Sequence, residues 1–125
     1  MLDAREPRRA ECSELLLRTP GPLYVPQTVV AEVAYFISRS LDAEVESSFL
    51  QDLALGSFLP TAVDPSEWER IAELVWTYRD MPLGTTDASI VAIAERLGVT
   101  QIATLDHRHF GAVQPAHCES FELLP

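Results

Sequence analysis

The sequence predicts an α/β fold with a mostly parallel sheet covered by helices on both faces. Short apolar runs of strand character alternate with segments of helical periodicity along the whole chain. The 125 residues, 47% apolar and 22% charged, suit one compact domain over 1–125 with a single core. No internal repeat interrupts that pattern.

The elements follow in order. Behind Pro7, Ala10, Cys12 and Leu15 to Leu17 predict a helix over residues 5–18, broken by Thr19-Pro20-Gly21-Pro22. Leu23-Tyr24-Val25 reads as a strand. From Thr28 the chain is apolar nearly all round through Ile37, the mark of a helix packed between other elements, with Glu32 the exception. Asp42 caps a helix carrying Val45, Phe49, Leu50 and Leu53, which ends near Gly56. Residues 58–63 read as a strand that Pro60 pushes toward an edge. Ser66 and Glu69 have capping-box spacing ahead of a helix with Ile71, Leu74, Val75 and Tyr78 on its buried face. Thr85 or Thr86 caps a helix running to Gly98. Residues 101–105 form a strand with Asp106 at its carboxyl end, and residues 121–124 make a last edge strand.

Nine basic residues, all Arg, against 19 acidic ones give a net charge of −10. Such a charge opposes general attraction to phosphate backbones, so a nucleic-acid contact must use local Arg or metal ions bridging to acids. It argues against a groove-reading DNA binder but not against RNA. No apolar run is long enough for a membrane span or signal peptide, so a cytoplasmic protein is expected. Cys12 and Cys118 cannot build a disulfide framework or a four-ligand zinc site, and both are expected to be reduced.

In open parallel sheets, ligands gather outside the carboxyl ends of the strands. That rule selects Asp106 and the start of the helix carrying Asp87, with Glu32 on a helix opening at the same edge. Three converging carboxylates repel one another unless a cation intervenes. Oxygen ligands suit Mg²⁺ or Mn²⁺, which predicts metal-assisted phosphodiester hydrolysis. Arg108 is the best-placed cation for a substrate phosphate, with His109 beside it in a phosphate-contacting loop. Each residue also has a plainer reading. Asp87 suits the helix dipole, Asp106 suits a turn, Glu32 could face solvent, and Arg108 could be an ordinary surface residue. His107 and His109 beside Asp106 make a weaker case for zinc or iron, and His117 has no evident partner.

The runs Pro22-Leu23-Tyr24-Val25-Pro26 to Val30-Ala31-Glu32-Val33, Leu83-Gly84-Thr85-Thr86-Asp87-Ala88-Ser89-Ile90 and Ala103-Thr104-Leu105-Asp106-His107-Arg108-His109-Phe110 resemble PIN-domain ribonucleases. More narrowly, they resemble VapC-type toxins of toxin–antitoxin systems, over essentially the whole chain. The resemblance implies a three-layer PIN-like domain, Mg²⁺-dependent cleavage of RNA, inhibition by a cognate VapB-type antitoxin, and a homodimer. It also implies that Glu32, Asp87 and Asp106 serve as the metal-holding catalytic acids.

The family opens with a central strand ending in an Asp-Thr or Asp-Ser pair whose aspartate is a metal ligand, and no such segment occurs here. Asp3, 29 residues ahead of Glu32, sits where the family carries a non-ligand acid. The expectation is therefore a PIN-like domain without its central first strand, poorly stable and weakly active from Met1, whose working form extends upstream. A catalytically weak or inactive PIN-like module that binds an antitoxin is the alternative reading. A phosphoacceptor receiver domain and a phosphate-cradling nucleotidase fit less well, since the chain has neither a lysine nor a Gly-rich phosphate loop.

Overall fold

The computed structural model describes residues 23–104 and 106–124. The helix expected over residues 5–18, the expected absence of a first strand, Asp3, Cys12 and Leu105 lie outside them. The described residues fall into two compact units, 23–97 and 98–124. In both units the strand pairing is parallel, as the alternating pattern predicts.

In the first unit, β1 (Tyr24–Pro26) pairs with β2 (Leu59–Thr61), with Val25 opposite Pro60. Between them run α1 (Gln27–Ser40) and α2 (Ala43–Ala54). Asp42 accepts the Val45 N–H at 3.0 Å and so caps α2. Gly56, at φ +83°, supplies the left-handed residue just beyond it, a conformation other residues adopt only with strain. Gly98, at φ +68°, follows the helix that ends at Leu97 in the same way.

The turn ahead of α3 (Trp68–Thr77) corrects the expected capping box. The box is Asp64 with Glu67, not Ser66 with Glu69: Asp64 accepts the Ser66 N–H at 3.0 Å, and Glu67 Oε1 accepts the Asp64 N–H at 2.6 Å. Pro65 explains the shift, because the residue before a proline is driven out of the helical region and becomes the natural cap. Ile71 and Leu74 then turn inward as their spacing predicts.

The central helix of this unit is α4 (Thr85–Leu97). Ala88, Ser89, Val91, Ala92, Ile93 and Ala94 are all buried, and α3 packs along it. Two ion pairs join α3 and its leading turn to α4. Arg70 grips Glu95 with two bonds of 2.9 and 2.8 Å, and Arg96 Nε lies 3.1 Å from the buried Glu67. A bidentate guanidinium–carboxylate pair fixes orientation more firmly than a single contact. Burial on every side had been expected of α1 instead, and that expectation is corrected. Ile37 is its one buried residue, whereas Tyr35 and Phe36 are exposed. Large side chains leave α1 half-covered, while the small Ala and Ser residues of α4 let neighbours close around it.

In the second unit, β3 (Gln101–Ala103) pairs with β4 (Glu122–Leu124), with Ile102 opposite Leu123. The helix α5 (His107–Ala112) lies against β4. The buried residues of this unit include Ile102, Phe110, Val113 and Phe121. His117 Nε2 meets the Val99 carbonyl at 2.6 Å, supplying a partner the sequence did not suggest, and Cys118 is a free thiol.

Truncating Leu74, 1% exposed, should cost about 3 kcal/mol in urea unfolding, whereas truncating Leu55, 81% exposed, should cost under about 0.5 kcal/mol. Equal costs for Leu74→Ala and Leu55→Ala would contradict this assignment of the core.

Candidate functional site

The first turn of α4 is organised by hydroxyl groups. It opens at Gly84, whose carbonyl accepts the Ala88 N–H at 2.9 Å. Thr85 and Thr86 lie inside the helix rather than capping it, a correction to the expected cap. Thr86 instead turns its hydroxyl outward and donates it to Glu32 on α1. The buried Ser89 donates to the Thr86 carbonyl at 2.6 Å, so its single proton is committed. Thr28, 2.6 Å away, must then donate to Ser89.

This chain of bonds ties the start of α1 to the start of α4 and leaves Glu32 beside the residue that precedes Asp87. Glu32 is exposed, as its plainer reading as a solvent-facing residue allows. What distinguishes it is the hydroxyl it accepts. Asp87 is half-buried in the first turn of α4, where the helix dipole favours a negative charge.

In the second unit, Asp106 follows β3 and caps α5. Its own N–H is held by the Thr104 hydroxyl at 2.9 Å. Its carboxylate accepts the His109 N–H at 3.0 Å and meets His109 Nδ1 at 2.5 Å. The run from Asp106 to His109 is thus a helix start, and the expected loop is corrected: an aspartate that satisfies a first-turn N–H nucleates a helix there. The His109 backbone N–H, and then its ring, hold the Asp106 carboxyl below its ordinary range. Arg108 is exposed in the same turn, and His109 is half-buried against Asp106.

Each unit therefore presents an aspartate at a helix start. Carboxylate oxygens, those of Asp87 and Glu32 in the first unit and those of Asp106 in the second, are donors of the type that Mg²⁺ or Mn²⁺ takes. Asp106, held ionised by the bonds that orient it, meets the first requirement of such a ligand. Sequence reasoning missed the hydroxyl chain. Its trace was Ser89, a polar residue amid the apolar positions of α4, together with Thr86 directly before Asp87.

Because folding lowers the Asp106 carboxyl, its contribution to stability is present above the ordinary carboxylate range. It is lost as pH falls through the lowered value. A carboxyl-carbon NMR titration should place the Asp106 midpoint below 3.8, and a midpoint at or above 3.8 would contradict the capping geometry.

The PIN domain family model matches residues 1–114. The chain is also 34% identical over 123 residues to Ribonuclease VapC26 of Mycobacterium tuberculosis (strain ATCC 25618 / H37Rv), an alignment covering 98% of this chain and 91% of that relative. A match over nearly the whole chain, with parallel strands and helices in the order the sequence predicts, makes this protein a member of the PIN-domain family, of the VapC type.

Proposed function

We propose that the chain acts as a single PIN domain and is the toxin of a VapBC-type pair, an endoribonuclease that hydrolyses RNA phosphodiester bonds with Mg²⁺ or Mn²⁺. One observation carries the reading most directly: the bond from Thr86 to Glu32 draws a second carboxylate to the helix start that bears Asp87. Membership of the family and similarity to a relative named as a ribonuclease support the substrate class.

In this reading Asp87, Asp106 and Glu32 hold the cation. Bound there, a divalent ion supplies charge neutralisation at the scissile phosphate and lowers the pKa of the attacking water. The residues of this chain orient and charge the site. Thr86 fixes the Glu32 carboxylate, Ser89 and Thr28 fix the turn that carries Asp87, and His109 keeps Asp106 ionised. Arg108, exposed beside Asp106, contacts the substrate phosphate, and His109 lines the same edge. The partners of this reading are the RNA substrate, a VapB-type antitoxin and a second copy of the chain. Tyr35 and Phe36 on α1, Val45 and Leu50 on α2, and Leu41 and Leu55 just beyond the two helices support the last of these, since all are large apolar residues left exposed. Among the described residues no helix is long and apolar enough to cross a membrane.

Asp87→Asn keeps the shape of the side chain and removes its charge. Cleavage of RNA in the presence of Mg²⁺ or Mn²⁺ should fall by more than about 100-fold, the loss that outer-shell partners of a metal alone can approach. The melting temperature should stay within a few degrees of the parent. Undiminished cleavage by Asp87→Asn would remove Asp87 from the site.

A further inference from the structure

Thr28 and Glu32 stand one turn apart on α1, and Thr86 and Ser89 one turn apart on α4, so a pair of residues on each helix faces a pair on the other within the first unit. Both contacts are hydroxyl bonds, Thr28 with Ser89 at 2.6 Å and Thr86 with Glu32. They are not equivalent. Ser89 also donates to the Thr86 carbonyl at 2.6 Å, so the backbone of Thr86 is held while its hydroxyl reaches across to α1. That hydroxyl ends on Oε2 of the exposed Glu32 carboxylate, and among the described residues Oε1 accepts no hydrogen bond. A hydrogen bond to a charged oxygen is stronger than one between neutral groups, and this one comes from a fixed donor. The two oxygens of Glu32 therefore differ: Oε2 is engaged and oriented from α4, and Oε1 is open.

We propose that Thr86 is a positioning residue that makes Glu32 a one-oxygen ligand and so sets the choice of cation, in favour of Mg²⁺ or Mn²⁺ and against Ca²⁺. The inference rests on the reading of Glu32 and Asp87 as holders of a divalent ion and adds which ion they turn away. Mg²⁺ demands near-octahedral geometry and keeps several waters, so a carboxylate serves it through one oxygen, and Mn²⁺ shares the preference for six oxygens in an octahedron. Ca²⁺ gathers about six to eight oxygens in a looser shell and readily takes both oxygens of one carboxylate. To offer both, Glu32 must give up the Thr86 bond or turn its carboxylate against it. That cost falls on Ca²⁺ alone. For Mg²⁺ or Mn²⁺ at Oε1 the same bond is a gain, because an outer partner that orients a ligating carboxylate strengthens the site.

Calorimetric titrations of Mn²⁺ and of Ca²⁺, each alone, into the full chain without RNA test this. Thr86→Val removes the donor and keeps the branched shape, Thr86→Ala removes it without adding a methyl group, and Thr86→Ser keeps it. The parent should prefer Mn²⁺. Thr86→Val and Thr86→Ala should weaken Mn²⁺ binding about 10-fold and leave Ca²⁺ binding within about 2-fold, so the preference falls by about 5-fold or more, whereas Thr86→Ser should hold it within about 2-fold of the parent. Loss of packing alone would weaken both ions equally. Equal weakening, or a preference that neither Thr86→Val nor Thr86→Ala changes, overturns the proposal. If Asp87→Asn still binds Mn²⁺ more weakly than the parent in that case, the assignment to Thr86 falls alone. If Asp87→Asn and the parent bind Mn²⁺ alike, the metal-site reading falls with it.

Discussion

The buried hydroxyl of Ser89 is the constraint on which the candidate site depends. A polar atom inside α4 is tolerated only with its bonding capacity met, and here the Thr86 carbonyl and the Thr28 hydroxyl meet it. Both partners lie at helix starts, so satisfying one buried atom sets the register between α1 and α4. Thr86 is then free to give its side chain to Glu32. A neutral bond of this kind contributes about 1 kcal/mol, but an unsatisfied Ser89 would cost more, and that asymmetry makes the arrangement specific.

How much of this was legible in the sequence differs by element. Strands at residues 24–26, 59–61, 101–103 and 122–124 stood out because each lies in a short apolar run between breakers. The Asp42 cap and the turn at Gly56 followed from local chemistry alone. Where the reading failed, a neighbouring residue or a tertiary contact decided. Pro65 moved the capping box back to Asp64, and Glu32 drew the Thr86 hydroxyl away from a capping role. Helix α1 misled because an apolar sequence does not reveal whether another element covers it, and Tyr35 and Phe36 are exposed.

The site was legible to a similar degree. Strand-end logic picked out Asp87 and Asp106 without any view of their partners, and each does stand at a helix start. Glu32 is exposed, as the plainer reading of it allows, and what the sequence did not show is that it accepts the Thr86 hydroxyl. The exposed indoles of α3 were not legible. Trp68 and Trp76 fall at spacings that suit either a core or a surface, and Arg79 over the indole exists only once the helix is folded and ended at Tyr78.

The central claim is that Asp87, Asp106 and Glu32 serve one divalent cation. Calorimetric titration of Mn²⁺ into the full chain, free of RNA and partner, tests it without relying on activity. The account predicts a saturable site that Asp87→Asn and Asp106→Asn each weaken by at least about 10-fold. Equal Mn²⁺ affinity in the parent and both variants would contradict it.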